Sequence, residues 1–364
     1  MKAGIVGLPN VGKSTLFNCL SNAKAQSANF PFCTIEPNLG VVNVPDKRLD
    51  HLADLVKPEK VIPATVEIVD IAGLVKGASK GEGLGNQFLG NIRETDAILH
   101  VLRCFEDDNI VHVEGSVDPL RDKETIDIEL QLKDLESAKK RRDRILRAAK
   151  TGNKEAQKEL DVLDKIIAAL EAAQNVRSIS FSYGDRINYV NTLQLITDKP
   201  VMYICNVSED AAIDGNHFVN QIKKAVVPEK AQVLMLAVSI ESDINELDSY
   251  EERQLFLEDM GLVEPGSAKL IRFAYHLLSL QTFFTAGDKE VRAWTVKKGA
   301  NASQAAGVIH TDFEKGFIRA EVISYKDYSD LGSEQMVKQA GKIRVEGKEY
   351  IVQDGDVMHF RFNV

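Results

Sequence analysis

The chain has 364 residues, of which 27% are charged and 44% hydrophobic, and its formal net charge is −9. These values are typical of a soluble globular protein, and the length predicts two or three domains. A negative net charge excludes nucleic-acid binding driven by bulk charge, so any such binding needs a local basic patch. No apolar run approaches the roughly 18 residues of a transmembrane helix, which predicts that a membrane is not a partner.

The N-terminus and the cysteines both favour a cytosolic protein. The first residues run directly into a glycine motif, without the apolar segment of a signal peptide. Cys19, Cys33, Cys104 and Cys205 include no C-x-x-C pair. We therefore predict reduced core thiols rather than a structural zinc site.

Apolar, β-branched runs alternate with helical segments in two parts of the chain. The predicted strands are Ala3 to Val6, Leu39 to Val44, Ala64 to Val69, Ala97 to Leu102, Pro200 to Cys205 and Gln232 to Val238. A helix is predicted from Ser14 to about Ser21. Such runs are typical of buried parallel strands with helical crossovers. They predict a doubly wound α/β domain over 1–122 and 198–280, which another segment interrupts.

The interrupting segment, 123–197, has a helical period. Its apolar stripes are Leu132, Leu135 and Ile145, then Leu160, Leu163, Ile167 and Leu170. Thr151-Gly152-Asn153 supplies a turn between them. The pattern predicts an antiparallel helical hairpin, a short coiled coil. The first helix also carries a basic run of Lys139, Lys140, Arg141, Arg142, Arg144 and Arg147. That run is interpreted as a solvated face or, alternatively, as an RNA or ribosome contact.

The C-terminal part, 281–364, predicts a third compact domain of mixed α+β structure. Its strands are expected at Thr282 to Thr285, Val291 to Val296, Phe317 to Val322, Lys342 to Val345 and Val357 to Phe362, with one helix over Asn301 to His310. We expect its aromatic residues Trp294, Phe313, Phe317, Tyr325 and Tyr328 to be core residues rather than a platform for stacked bases.

The segment from Gly7 to Thr15 matches the phosphate-binding pattern G-x-x-x-x-G-K-[ST]. Its glycines allow backbone N–H groups to turn inward around a phosphate, and Lys13 places a positive charge between the β- and γ-phosphates. The Ser14 hydroxyl is the expected Mg²⁺ ligand, and the following helix directs its N-terminus at the phosphates. The predicted nucleotide-binding residues here are Asn10, Val11, Gly12, Lys13, Ser14 and Thr15.

A second motif, Asp70-Ile71-Ala72-Gly73, ends the predicted strand at Val69. Asp70 is expected to hold the magnesium ion through water, and the Gly73 N–H to contact the γ-phosphate. Thr34 lies between the two motifs, where a switch threonine reaches the metal. Four further glycines, at 77, 81, 83 and 85, predict a loop that becomes ordered on nucleotide binding, although a merely flexible surface loop is the alternative.

The base-recognition motif departs from that of guanine-specific proteins. Those proteins carry N-K-x-D after the fifth strand, whereas this chain has Asn206-Val207-Ser208-Glu209. The longer Glu209 carboxylate is misplaced for the pair of guanine N–H groups, a mismatch worth about 1–3 kcal/mol. Adenine could instead use groups near Asn206 and Val207, and Ser239 is expected to close the pocket. The predicted nucleotide-binding residues of this region are Asn206, Val207, Glu209 and Ser239.

These motifs together resemble the YchF-type Obg-like ATPases, a family of translation-factor-class P-loop proteins. The motifs that carry the resemblance are Gly7 to Thr15, Asn29-Phe30-Pro31-Phe32-Cys33-Thr34-Ile35-Glu36-Pro37, Asp70 to Ala78, and Asn206 to Glu209. The resemblance covers essentially the whole chain and implies a C-terminal TGS domain of ubiquitin-like β-grasp fold. It also implies ATP hydrolysis in preference to GTP, a cytoplasmic location and association with ribosomes.

Hydrolysis by this chain is expected to be slow. Leu74 stands where Ras-type enzymes place a water-orienting glutamine, and a leucine cannot hydrogen-bond water. The resemblance points to His112 as a replacement, with a surface histidine of no role as the alternative. Asn10 is a candidate K⁺ ligand, because related proteins with asparagine there bind this cation beside the phosphates.

Two classes of function remain open from the sequence. The first is a regulatory ATPase whose hydrolysis resets a conformational switch. The second is a ribosome- or RNA-binding scaffold that the nucleotide only tunes, with little hydrolysis. A true GTPase is a third alternative, which competition between ATP and GTP would separate.

Overall fold

The computed structural model describes residues 1–22, 39–71, 84–247 and 249–363, with the side chains of 22 and 84–87 excepted. The chain divides into two compact units, of which the first contains 1–40 and 67–267 and the second contains 41–66 and 268–364. Thr34, Gly73 and Leu74, together with the glycines at 77, 81 and 83, lie outside the described residues.

Strands and helices are numbered in chain order. The strands are β1 (Lys2–Val6), β2 (Leu39–Asn43), β3 (Lys60–Ile62), β4 (Thr65–Asp70), β5 (Ala97–Arg103), β6 (Val201–Asn206), β7 (Gln232–Leu236), β8 (Leu280–Ala286), β9 (Glu290–Lys297), β10 (Phe317–Ser324), β11 (Arg344–Glu346) and β12 (Asp356–Phe362). The α-helices are α1 (Lys13–Asn22), α2 (Lys47–Val56), α3 (Leu84–Arg93), α4 (Pro119–Lys150), α5 (Lys154–Glu171), α6 (Tyr183–Asp185), α7 (His217–Ala225), α8 (Val238–Glu246), α9 (Tyr250–Asp259), α10 (Gly266–Leu277), α11 (Ala302–Ile309), α12 (Thr311–Lys315), α13 (Tyr325–Leu331) and α14 (Glu334–Gln339).

The first sheet has the strand order β2-β4-β1-β5-β6-β7. Strand β1 pairs in parallel with β4 and β5, and β5, β6 and β7 continue the parallel run. Every residue of β5 and β6 is buried, which explains why both strands consist mostly of apolar residues. The prediction of a doubly wound α/β sheet is confirmed. Its carboxyl edge gathers the ends of β1, β4, β5, β6 and β7, where ligands bind in such sheets.

The helical hairpin of α4 and α5 forms as predicted. Asp118 caps the first helix, and Asn153 caps the second directly after the turn. The core between the helices and the segment that follows them contains Ala138, Leu163, Ile166, Leu170, Val176 and Val190, with Leu135 and Ile145 packed beside it. Leu132 is 39% exposed, so its predicted place in the apolar stripe is wrong. The buried face of α4 at this point is formed by Leu130, Gln131 and Asp134 instead.

Several side chains of the basic run are paired with acidic residues. Arg141 contacts Glu159 at 2.6 Å and Arg142 contacts Asp164 at 2.5 Å, both across the hairpin. Lys139 pairs with Glu171 at 2.6 Å in the same manner. These contacts favour the interpretation of that part of the run as a solvated face that joins the two helices.

The N-terminal turns of α4 contribute to a buried network of charged side chains. The Lys123 ammonium contacts Asp127 at 2.6 Å and Glu229 at 2.8 Å. Arg177 and the Tyr203 hydroxyl also contact the Glu229 carboxylate. Two cations and two anions balance one another, and this balance makes burial of the network tolerable.

The second unit contains a sheet in the order β11-β10-β12-β8-β9-β3. Helix α11 packs on this sheet over a core of Phe283, Ala302, Ala306, Val322 and Met358, among other residues. Trp294, Phe313 and Phe317 pack against that core, and Tyr328 is buried, as the sequence predicted.

The grouping of 41–66 with the C-terminal unit differs from the predicted boundaries, which place this segment in the P-loop domain. Strand β3 pairs in parallel with β9, with Lys60 opposite Glu290 and Ile62 opposite Arg292. A strand of three residues is too short to carry a periodic signal in the sequence. The boundaries of the helical insert and of the C-terminal domain remain predictions.

Two smaller expectations concern the cysteines and the membrane. Cys19, Cys104 and Cys205 are buried free thiols, as predicted, and Cys33 lies outside the described residues. Among the helices in the described ranges, none combines the length and apolarity needed to cross a bilayer.

Candidate nucleotide site

The glycine loop after β1 adopts a conformation that its sequence requires. Asn10 and Gly12 both have positive φ, at 62° and 96°. A Cβ added to Gly7 would lie 2.6 Å from the Val101 carbonyl oxygen, and one added to Gly12 would lie 2.6 Å from Asn206 Nδ2. The tight turn therefore excludes side chains at both glycines, and it leads directly into α1, which begins at Lys13.

The Lys13 side chain is buried beneath this loop. Its ammonium donates a hydrogen bond of 2.7 Å to the Leu8 carbonyl, inside the turn that would hold the phosphates. Burial lowers the pKa of Lys13 to about 8, and the charge of Asp70 opposes that shift. A bound triphosphate would stabilise the charged ammonium, because it supplies negative charge at the place where water is excluded.

Ser14 and Asp70 meet at the carboxyl end of the sheet. The Ser14 hydroxyl donates to Asp70 Oδ2 at 3.3 Å. Asp70 Oδ1 is buried, and none of the described residues offers it a hydrogen bond. Burial also raises the pKa of the Asp70 carboxyl. A buried carboxylate oxygen without a partner, beside a hydroxyl, fits Mg²⁺, which takes a few hard oxygen ligands from protein and the rest from phosphate and water.

Further protein groups that could contact the metal ion or the γ-phosphate were sought around Ser14 and Asp70. The described part of the chain contains no cluster of three or more His, Cys, Asp or Glu residues arranged for a metal ion. Thr34, the predicted further ligand, and Gly73, predicted to contact the γ-phosphate, both lie outside the described residues.

Asn206, at the end of β6, connects two loops of the site. Its Nδ2 donates to the Val11 carbonyl at 3.0 Å, and its Oδ1 accepts from the Val238 N–H at 3.1 Å. The side chain is 4% exposed, so these two bonds are shielded from water. Asn206 thus holds the phosphate loop against the start of α8, where Ser239 follows.

The remaining predicted base-pocket residues lie at the same edge. The Val207 side chain is buried, and its N–H donates to the Leu236 carbonyl at 3.0 Å. Glu209 and Ser239 are both exposed, at the start of a short 3-10 turn and in the first turn of α8. Strands β6 and β7 pair Asn206 with Leu236, which brings these two loops side by side. Thr15 is exposed on the first turn of α1.

His112 lies in the loop between β5 and α4, and both of its ring nitrogens are used. Nε2 lies 2.9 Å from Asp122 Oδ2, and Nδ1 accepts from the Glu114 N–H at 3.1 Å. The preceding carbonyl, that of Val111, accepts a hydrogen bond of 3.1 Å from Asn10 Nδ2. The loop therefore contacts the phosphate loop through its backbone, while the histidine ring is bonded to α4.

Arg103 organises this loop, a role that was not predicted from the sequence. Its guanidinium donates to the carbonyls of Phe105, Asp107 and Ile110, at 2.9–3.1 Å. Arg103 is only 1% exposed although it ends an apolar strand. A lone arginine at the end of a buried strand was the available signal, because such a charge needs several acceptors. Asp122 was also missed, since nothing in the sequence pairs it with His112.

The parallel sheet, the glycine loop entering α1, and Lys13, Ser14 and Asp70 at its carboxyl edge define a P-loop nucleoside triphosphatase. A family model described as a 50S ribosome-binding GTPase matches residues 2–206. A model of the YchF GTPase C-terminal region, described as a protein of unknown function, matches 280–363. The chain belongs to the YchF family.

Curated relatives and a solved structure agree over the full length. The chain is 58% identical to the ribosome-binding ATPase YchF of Haemophilus influenzae, over 100% of this chain and 99% of that protein. It is 54% identical to the protein of the same name from Bacillus subtilis, over 100% of both. The structure of the Schizosaccharomyces pombe YchF GTPase superposes with a TM-score of 0.90 at 39% identity, covering 99% of this chain and 97% of that one.

Proposed function

We propose that this protein binds and hydrolyses ATP in preference to GTP, and that the nucleotide state controls its association with the ribosome. The observation that carries the first part is the combination of the Lys13, Ser14 and Asp70 cluster with the altered base motif at Asn206 to Glu209. Support for the second comes from the relatives, which are named ribosome-binding ATPases. The family model over 280–363 is consistent with a TGS domain there.

The preference for adenine rests on the residues directly after β6. In guanine-specific proteins a lysine stem covers the base, but Val207 is buried and cannot take that position. Glu209 is exposed at a 3-10 turn, where its longer side chain does not reproduce the aspartate that pairs with guanine. Ser239 and the backbone near Val207 are the groups proposed to contact the adenine.

Phosphate chemistry would be performed by charge and position. Lys13 stabilises negative charge on the β- and γ-phosphates, and Ser14, Thr34 and Asp70, the last through water, are proposed to hold Mg²⁺. When bound, Mg²⁺ neutralises charge that develops on the phosphate oxygens. The Gly73 N–H is proposed to bind the γ-phosphate.

Asn10 is proposed as a ligand for a monovalent cation, K⁺, beside the phosphates. The amide nitrogen of Asn10 is used by Val111. This contact uses only Nδ2, so Oδ1, the oxygen that would bind the cation, lies on the other side of the amide group. A cation there would add positive charge beside the phosphates, next to that of Lys13.

His112 is proposed to orient the attacking water in place of the glutamine that Leu74 replaces. The ring must leave Asp122 and the Glu114 N–H to do so, because both nitrogens are bonded. Slow turnover in the isolated protein is therefore expected. A nucleotide-tuned ribosome or RNA scaffold with little hydrolysis is the second candidate, which the same bonding of His112 favours.

Equilibrium titration of the purified protein with fluorescent ATP and GTP analogues tests the base preference. Tighter binding of GTP would reject it. Steady-state turnover, combined with ribosome co-sedimentation in ATP, ADP or no nucleotide, separates a switch from a scaffold. Sedimentation that ignores nucleotide, together with negligible turnover even with ribosomes, would favour the scaffold.

A further inference from the structure

The contact between His112 and Asp122 is shielded from water. The two side chains are 4% and 1% exposed, and their atoms lie 2.9 Å apart. Because Nδ1 of the ring accepts the Glu114 N–H, Nε2 must carry the ring proton in the neutral histidine and donate it to the carboxylate. Neither nitrogen of this tautomer is left to accept a hydrogen bond from water.

Asp122 is itself held in place on the first turns of α4. Its second oxygen, Oδ1, accepts from Arg121 Nη2 at 3.1 Å. Its backbone N–H donates to the carbonyl of Asp118, the residue that caps the helix. The carboxylate thus has one oxygen for Arg121 and one for His112, so the helix presents a fixed acceptor to the ring.

The backbone and the ring at His112 face different partners: the backbone contacts the phosphate loop, and the ring contacts α4. Asn10 contacts the carbonyl of Val111, one residue before the histidine, so the backbone at this point is adjacent to the phosphate loop. The His112 ring is bonded to α4 instead. A change in the side-chain torsions of one residue would therefore exchange a contact with α4 for a position near the nucleotide.

We propose that Asp122 is a positioning residue that retains His112 in a resting orientation, and that hydrolysis requires the His112–Asp122 bond to break. This inference rests on the proposed role of His112 in orienting water. The carboxylate acts on turnover only through the ring, because it favours the population in which the ring is withdrawn. Weakening the acceptor should therefore raise the fraction of enzyme that is competent for hydrolysis.

Asp122→Asn tests the inference, because it keeps the shape of the side chain and removes its charge. Hydrogen bonds to a charged acceptor are roughly twice as strong as neutral ones, so we expect kcat for ATP to rise about 3- to 10-fold. KM for ATP should not change, since Asp122 touches no predicted nucleotide ligand. The rise should disappear when His112→Ala is combined with Asp122→Asn.

The matched control is Asp134→Asn, on the same helix. Asp134 is equally buried and accepts from the Ile196 and Thr197 N–H groups rather than from a histidine. It should lower stability without raising kcat. Thermal midpoints and nucleotide affinities of all variants show whether each protein is folded.

The outcomes separate the inference from the function on which it rests. If His112→Ala lowers kcat but Asp122→Asn leaves it unchanged or lowers it, the restraint is rejected and the role of His112 stands. If His112→Ala leaves kcat unchanged, the role of His112 and the restraint fail together. A rise in kcat that persists in the double variant also overturns the restraint.

A second measurement needs no substitution at Asp122. Long-range ¹H–¹⁵N spectra report the tautomer of each of the seven histidine rings. The signals of His112 are the ones that disappear in the spectrum of His112→Ala. We expect His112 in the nucleotide-free protein to be a single Nε2–H tautomer. Averaged nitrogen shifts for this ring would overturn the proposal even if Asp122→Asn does not fold.

Discussion

The Asn10 side chain donates a hydrogen bond of 3.1 Å to the Val111 carbonyl and so joins the phosphate loop to the loop that carries His112. These residues are 101 positions apart in the chain. From the sequence alone, Asn10 is a candidate cation ligand and His112 is a separate feature. The hydrogen bond places both at one junction, where a change in one loop reaches the other.

Asn10→Ala should remove the proposed cation ligand and the bond to Val111 together. If K⁺ binds there, turnover in KCl relative to NaCl should fall from several-fold to about one, because the added positive charge is lost. Asn10→Asp keeps an oxygen ligand and should retain the stimulation by KCl. Equal turnover of the unaltered protein in the two salts would contradict the K⁺ site.

Asn206→Ala should weaken both stability and nucleotide binding. It leaves the Val11 carbonyl and the Val238 N–H without partners in a buried position, at a cost of about 1–3 kcal/mol for each. We expect the free energy of unfolding, measured in urea, to fall by about 2–6 kcal/mol.

A conservative variant separates the two bonds of Asn206. Asn206→Asp keeps the acceptor for Val238 and loses the donor to Val11, so it should affect phosphate affinity more than the position of α8. If Asn206→Ala binds ATP analogues as tightly as the unaltered protein, the bridge does not position the site.

Acid should destabilise the first unit through His100. This residue is 2% exposed, and burial, together with the charge of Lys123, lowers its pKa to about 3. In the unfolded chain histidine titrates near about 6.5, so protons bind the unfolded state more strongly. The contribution of His100 is fully present above about pH 6.5 and is lost as pH falls towards 3.

His100→Phe isolates that contribution, because phenylalanine has no ring proton to gain and can keep the ring contact with Tyr203. When the pH is lowered from 6.5 to 5, the free energy of unfolding falls in both proteins. The fall should be smaller in the variant, by up to about 2 kcal/mol. Urea denaturation at several pH values gives the comparison. Parallel pH dependence in the two proteins would contradict the assignment.

The basic run of the hairpin can be tested by comparing paired and unpaired arginines. Arg141 and Arg142 form ion pairs with α5, whereas Arg144 and Arg147 have no acidic partner among the described residues. If the hairpin contacts ribosomal RNA, Arg144→Ala and Arg147→Ala should weaken ribosome co-sedimentation and reduce its salt dependence.

Arg142→Ala is the matched control for that experiment. It breaks an exposed ion pair, which contributes little to stability because water screens the charges, and it should change ribosome binding less. If all three substitutions leave sedimentation unchanged, the run is a solvated face, which was the alternative interpretation.

The sequence predicted the parallel sheet and the phosphate loop because both depend on local patterns. Strands β5 and β6 are buried along their whole length and consist mostly of apolar residues. The spacing from Gly7 to Ser14 follows from the shape of a phosphate. The hairpin was equally readable from Leu163, Ile167 and Leu170.

Contacts between residues that are far apart in the chain, or that depend on one side-chain conformation, were not predictable from the sequence. Strand β3 joins β9 across 230 residues, and three residues give no period to detect. The bond between His112 and Asp122 depends on a side-chain rotamer, which a sequence does not specify. Arg103 was recognisable only as a charge in an apolar run, and its three carbonyl acceptors come from the shape of the following loop.

The buried ion network at the base of α4 has a mechanical consequence. The helix has 32 residues without a break, a rigid rod of about 48 Å. Lys123, one residue after Asp122, pairs with Glu229 outside the helix and so fixes the N-terminal end of α4. Because this fixed end lies next to Asp122, we expect a displacement of the distant tip of the hairpin to be transmitted along the helix to the turn that holds His112.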